Sequence, residues 1–229
     1  MVKGIVLAGG TGSRLYPLTH AVNKHLLPIY NKPMIYYPLS VLMLAGVKDI
    51  AIITTYDDQE PFYKLLGNGS DYGIRLTSLI QYEPNGLAEA FIIAEDFLRG
   101  DDVILVLGDN LFFGSGFTDI ISNVKPPTIF AYKVSDPERY GVVEIKDGQA
   151  RTIVEKPLKP ASSFAIPGLY FLDSRCVDYA KQATPSDRGE LEITSVLHKY
   201  MLNGGLSVQE LGRGIAWFDC GTFDSMLNA

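Results

Sequence analysis

Cysteine is nearly absent: Cys176 and Cys220 are the 2 cysteines in 229 residues. They lie far apart and outside any Cys-x-x-Cys spacing, which excludes a zinc knuckle and a disulfide-stapled scaffold and fits a reducing cytosol. Positive charge is also short. The 26 acidic residues outweigh 20 basic ones and leave a net charge of −6, so no broad cationic surface for nucleic acid is available. A phosphorylated ligand would have to be held by a few placed cations. No apolar run approaches the ~20 residues that span a bilayer. The chain starts almost at once with a strand instead of a charged, then apolar, leader, so a cytoplasmic protein with no membrane partner is expected. Internal repeats, low-complexity tracts and Ser/Gly linkers are missing too.

What is present is a hydrophobic fraction of 47%, ample for one large core. Apolar runs at Gly4–Leu7, Ile50–Thr54, Leu76–Gln81 and Val103–Leu107 alternate with helical patterns within Met34–Leu44, around Phe62–Leu66 and in Leu87–Phe97. That rhythm predicts βαβ units. Pro33 suits the first turn of its helix and Gly46 the stop after it. Further on, Thr128–Val134 is β-branched and aromatic, and Val142–Ile145 joins Thr152–Val154 through Asp147-Gly148, a hairpin turn. A strand pattern at Phe164–Phe171 precedes helices near Cys176–Lys181 and Glu192–Leu202. The expected architecture is one α/β domain over 1–229 with a mixed, mostly parallel sheet. Residues 1–125 would form a nucleotide half and residues 126–229 a substrate half.

The chemistry concentrates after the first strand, where Leu7-Ala-Gly9-Gly10-Thr11-Gly12-Ser-Arg14 forms a glycine-rich loop with one arginine. Glycines let backbone N–H groups turn toward an anion, and a guanidinium adds a cationic fork for phosphoryl oxygens. Neither the dinucleotide fingerprint nor a P-loop ending is met, because Leu15 follows where a third glycine is required and no Gly-Lys-Ser/Thr occurs.

Other segments add donors. Asp109 ends the apolar run Leu105-Val-Leu-Gly, at the carboxyl end of a strand where open α/β sheets bind ligands; it is a candidate for Mg²⁺, with a turn-starting aspartate as the plain alternative. Asp219, in Ala216-Trp-Phe-Asp-Cys-Gly, supplies a second carboxylate. Lys24 is placed to reach phosphates from the side opposite Arg14, or to be a solvated lysine. Gln81 offers the donor–acceptor pair that suits the imide edge of thymine or uracil, and reads equally as a polar edge residue. On the hairpin, Glu155 can accept from sugar hydroxyls, Gly141 leaves room for a pyranose and Lys156 can pair with a phosphate; a solvated Glu-Lys face is the ordinary reading.

Together, Leu-Ala-Gly-Gly-Thr-Gly-Ser-Arg-Leu-Tyr-Pro-Leu-Thr, Lys-Pro-Met-Ile-Tyr-Tyr-Pro-Leu-Ser, Leu-Gly-Asp-Asn, Asp-Pro-Glu-Arg-Tyr-Gly-Val-Val, Glu-Lys-Pro and Arg-Gly-Glu-Leu-Glu-Ile-Thr resemble the glucose-1-phosphate thymidylyltransferases of the sugar-nucleotide pyrophosphorylase superfamily. The resemblance implies a three-layer α/β/α Rossmann-like fold, Mg²⁺ as cofactor, dTTP and glucose 1-phosphate as substrates, and a homo-oligomer, tetramer or dimer. It assigns Leu7, Gly9, Gly10, Thr11, Gly12, Arg14, Lys24, Gln81 and Gly86 to the nucleotide, with Arg14, Lys24 and Asp109 catalytic. Asp109 and Asp219 would hold the metal, and Asn110, Gly141, Glu155, Lys156, Ile166 and Arg188 the sugar phosphate. This sequence departs from the common pattern at His25, Glu89, Pro167 and Cys220, and it stops short of the C-terminal helices of longer members. The competing readings are a UTP-using uridylyltransferase and a non-catalytic sugar-nucleotide sensor.

Overall fold

The computed structural model describes residues 1–186 and 188–229. In chain order, β1 (Val2–Leu7) leads through the glycine loop to a small hairpin of β2 (Pro28–Ile29) and β3 (Lys32–Pro33). Then come α1 (Tyr36–Leu44), β4 (Asp49–Thr54), α2 (Gln59–Leu66), β5 (Arg75–Ile80), α3 (Glu89–Ile93), α4 (Glu95–Leu98) and β6 (Asp102–Leu107). Next follow β7 (Asn110–Gly114), α5 (Phe117–Asn123), β8 (Thr128–Lys133), β9 (Gly141–Lys146), β10 (Gln149–Glu155), β11 (Phe164–Ala165) and β12 (Leu169–Leu172). The chain finishes with α6 (Cys176–Lys181), α7 (Ile193–Leu202), β13 (Ser207–Glu210), β14 (Ile215–Asp219) and α8 (Phe223–Asn228).

One 10-stranded sheet, in the order β11-β9-β10-β13-β8-β12-β6-β1-β4-β5, runs through the molecule. The strands β6, β1, β4 and β5 pair in parallel, the first three as their buried apolar runs demand and β5 as a more polar edge strand. Beyond β6 the sheet is mixed: β12 lies antiparallel between β6 and β8, whereas β13 runs parallel to β8. At the far end β11 pairs with both β9 and β8, so the sheet curls on itself. Alternate residues feed opposite faces. Ile5 and Leu105 enter a core with Phe91 and Tyr200 under α3, α6 and α7, while their neighbours Val6 and Val106 enter a second core with Leu42, Phe117 and Phe171 under α1 and α5. Three layers result, as the family resemblance implies.

Several boundaries differ from the sequence reading. Pro33 is in β3, not in the first turn of α1. Met34 N–H donates to the Leu27 carbonyl and Ile35 N–H to the His25 carbonyl, which commits the backbone to the loop and postpones the helix to Tyr36. The segment expected as one helix in 87–97 breaks into α3 and α4 at Ala94. The strand expected over 164–171 is interrupted by Ile166-Pro167-Gly168, where proline cannot donate to a ladder. Gly168 instead crosses Leu107 so closely that an added Cβ would sit 2.5 Å from the Leu107 side chain. The Asp147-Gly148 turn forms as expected, with φ of 52° and 72°.

Candidate functional site

The glycine loop leaves β1 at the carboxyl edge of the parallel strands. Gly10 and Gly12 have φ of 95° and 60°, the left-handed region that frees backbone N–H groups to face outward. Arg14 follows in a single helical turn, Ser13–Leu15, pinned by the buried Leu15. A Cβ at Gly221 would lie 2.9 Å from Arg14 Nη2 and 3.3 Å from Asp219 Oδ1. The guanidinium therefore rests over Gly221, beside the Asp219 carboxylate.

The two aspartates, far apart in sequence, meet through a ribbon. β7 and β14 pair antiparallel with Asp219 opposite Asn110, and Cys220 N–H donates to the Asp109 carbonyl at 2.9 Å. Asp109 is buried; its Oδ2 takes a hydrogen bond from Lys24 Nζ at 2.5 Å and its Oδ1 one from Asn110 Nδ2 at 3.0 Å. Burial would raise its pKa, but the Lys24 ammonium and the Asn110 amide prevail and hold the carboxyl well below the usual carboxylate range. Asp219 goes the other way: burial, then the charge of Asp109, push its pKa up against the pull of Arg14 and Lys24. Two carboxylates kept close in a poor dielectric make a hard oxygen donor pair. No group of three or more His, Cys, Asp and Glu that could cage an ion occurs among the described residues. The pair suits a divalent cation that completes its shell with phosphate oxygens and water.

Behind Lys24, His25 is 1% exposed, and burial followed by the Lys24 charge lowers its pKa to about 3. Its ring is fixed by Nδ1 against Asn23 Oδ1 at 2.8 Å and fills the space in front of Gly108, whose Cβ would approach it to 2.6 Å. His25 is thus a neutral packing residue.

A cavity of about 510 Å³ lies on one side of the loop, bounded by Gly10, Thr11, Asn23, Asp58, Gln81 and Tyr82. Gln81 follows β5 directly and lies against the loop, its Oε1 2.9 Å from where a Gly9 Cβ would be. A second cavity of about 230 Å³ opens on the other side and brings Arg14, Asp109 and Asp219 together with Gly141, Glu155, Lys156, Ile166 and Arg188. Gly141 leaves room there: an added Cβ would lie 3.3 Å from Glu155 Oε2 and crowd that carboxylate. Burial, then Glu192, raises the Glu155 pKa. Arg188 is tied to Glu192 at 2.6 Å and sits 3.6 Å from Glu155. Asn110 borders the same cavity, yet its Oδ1 already accepts from Gly168 N–H at 2.9 Å and Trp217 Nε1 at 2.7 Å, so its amide braces three segments. The smaller cavity thus gathers Arg14, Lys156 and Arg188 around the carboxylate pair, while the larger one runs along Gly10 and Thr11 of the glycine loop.

A family model described as nucleotidyl transferase matches residues 3–229. The chain belongs to the nucleotidyl transferase family. Among its relatives, a glucose-1-phosphate thymidylyltransferase of Neisseria meningitidis is 54% identical over 233 residues, which cover 100% of this chain and 81% of that protein. One of Xanthomonas campestris is 51% identical over 232 residues, covering 99% and 79%. A Bacillus anthracis protein crystallised with a sucrose, described as a candidate glucose-1-phosphate thymidylyltransferase, is 39% identical with a TM-score of 0.90 over 100% of this chain and 93% of that one. A UDP-glucose pyrophosphorylase bound to UDP-glucose is 22% identical, covers 100% and 96%, and shares the fold with a TM-score of 0.86.

The site of this nucleotidyl transferase also contains residues that sequence reasoning passed over. Trp217, Tyr140, Tyr170, Glu192 and Thr194 line the smaller cavity. Trp217 packs against Tyr140 and Tyr132 with ring centroids 5.1 and 5.8 Å away. Its place two residues before Asp219 on an alternating strand was the available signal, since both then lie on one face.

Proposed function

We propose that this chain condenses dTTP with α-D-glucose 1-phosphate to give dTDP-glucose and pyrophosphate. The observation that carries the reading is the convergence of Arg14, Asp109 and Asp219 at the floor of a cavity whose wall is Glu155, Lys156 and Arg188, with the base-sized compartment on the far side of the same loop. The close relatives named for this reaction support it.

In this reading, Leu7, Gly9, Gly10, Thr11 and Gly12 seat the triphosphate on backbone N–H groups, and Gln81 with Gly86 meets the base. Lys156 and Arg188 pair with the sugar phosphate, Glu155 accepts from sugar hydroxyls, Gly141 and Ile166 shape the pocket, and Asn110 holds the wall in place. An oxygen of the sugar phosphate forms a bond to the α-phosphorus while the bond from that phosphorus to the β-phosphate oxygen breaks in line, and pyrophosphate leaves. The attacking oxygen is already anionic, so no general base is required. Arg14 and Lys24 neutralise charge gathering on the α-phosphoryl and leaving oxygens. Asp109 and Asp219 would hold Mg²⁺, which supplies further charge neutralisation of the phosphates. A homo-oligomer is the assembly proposed for the enzyme in solution.

Pyrophosphate release tests this with dTTP, UTP and dCTP, each offered glucose 1-phosphate or another sugar 1-phosphate. Turnover should be highest with dTTP and glucose 1-phosphate, vanish on chelation of magnesium, and collapse in Asp109→Asn. Product formation that survives chelation removes the metal role, and a preference for UTP gives the reaction to the uridylyl class.

A further inference from the structure

Behind Gln81, outside the lining of the larger cavity, lies a carboxylate for which the proposed reaction has no use. Glu89, the first residue of α3, receives two side-chain hydrogen bonds: Gln81 Nε2 donates to its Oε2 at 2.7 Å, and Asn85 Nδ2 donates to its Oε1 at 2.9 Å. Gln81 Nε2 also reaches the Gly86 carbonyl at 3.3 Å. Both partners of this amide nitrogen are pure acceptors, so the two N–H bonds of Gln81 are spent on them and the amide has one orientation. Its Oε1 is left turned toward Gly9, at the wall of the larger cavity. No buried side-chain polar atom among the described residues is both sealed and unpaired, so this oxygen faces the cavity rather than solid protein.

From this we infer that Glu89 is a specificity-determining positioning residue: by locking the Gln81 amide with its carbonyl outward, it makes the site accept a hydrogen bond from a pyrimidine N3–H and rejects a base whose N3 is itself an acceptor. The inference rests on Gln81 meeting the base. A free glutamine could present either end by rotating its terminal torsion, and would serve an imide or a cytosine alike. A carboxylate at position 89 cannot donate, so the flipped state would set Gln81 Oε1 against two acceptors. The repulsive arrangement gives the choice. Asn85 has a supporting part, since its amide holds the carboxylate at the correct end of the loop.

The test compares kcat/KM for dTTP and dCTP, with glucose 1-phosphate saturating, in the wild type, Glu89→Gln, Asn85→Ala and Gln81→Leu. In Glu89→Gln the new amide can donate as well as accept, so Gln81 can flip. The dTTP:dCTP ratio should drop about tenfold or more, mainly through KM, with Asn85→Ala moving it the same way by less. A role in packing alone would weaken both nucleotides equally and leave the ratio unchanged. If Gln81→Leu abolishes the discrimination but Glu89→Gln and Asn85→Ala do not alter it, the locking role is wrong while the base site stands. Should Gln81→Leu leave the ratio intact, the base-site reading fails and takes this inference with it. If Glu89→Gln does not fold, Asn85→Ala decides alone.

Discussion

Arg14 shows how one exposed side chain can be held ready for an anion. It is solvent-facing, yet its guanidinium lies across Gly221 next to Asp219, at the border of the smaller cavity. Replacing it with alanine should lower kcat by about 10²-fold or more with little loss of fold stability, measured by steady-state pyrophosphate release beside thermal unfolding. His25 makes a different prediction. Its folded pKa is about 3 against an ordinary 6.5, so between those values the unfolded chain binds a proton that the native chain does not. Its contribution to stability is intact above pH 6.5 and declines as the pH falls toward 3, at up to about 1.4 kcal/mol per pH unit. Urea midpoints from pH 7.5 to 5 should therefore converge between wild type and His25→Gln as acid is added. Parallel curves would mean that the ring is not buried in neutral form. The position of Arg14, Asp109 and Gln81 at the carboxyl edge of the parallel strands was legible in the sequence, because each follows an apolar strand run. The neutral state of His25 was not, because it depends on Asn23 and Gly108 closing around the ring.

At the level of elements, the loop between β5 and α3 is bound to the strand-like segment before α7. Leu191 N–H donates to the Asn85 carbonyl at 2.6 Å, and Ala88 N–H to the Leu191 carbonyl at 3.0 Å. Gly86 makes this crossing feasible: its φ is 112°, and a Cβ would meet Leu191 N at 2.5 Å. Gly86→Ala should cost about 1–3 kcal/mol in backbone strain and raise KM for both substrates, since the loop and the Glu192 segment would part. Gly46→Ala, at φ 79° with open space around the added Cβ, should destabilise without touching either KM. The comparison of the two by denaturation and kinetics separates strain from site damage. The parallel strands β1, β4 and β6 were readable because burial on both faces leaves an uninterrupted apolar run. The β7–β14 ribbon was not, because Asn110–Gly114 finds its partner at Ile215–Asp219 and no local period reports a pairing across that separation. Asp219 was legible as a carboxylate after an apolar run; its meeting with Asp109 was expected from a hard cation's need for a second carboxylate, although sequence distance itself reports no such contact.

For the whole molecule, the continuous sheet matters most. β12 joins the parallel strands to the second half by pairing with both β6 and β8, and the two cores each draw residues from before and after residue 125. Calorimetry should therefore record one unfolding peak and not two; resolved peaks would place a boundary at β12. The single tryptophan adds a practical consequence of the wall built around Asn110. Trp217 is 9% exposed, hydrogen-bonded through its ring nitrogen to Asn110, and borders the smaller cavity. Its intrinsic emission is consequently a lone optical gauge of that chamber, free of background from any other indole. The proposed filling of the chamber by glucose 1-phosphate can therefore be tested by light alone, with no turnover, no coupled assay and no label.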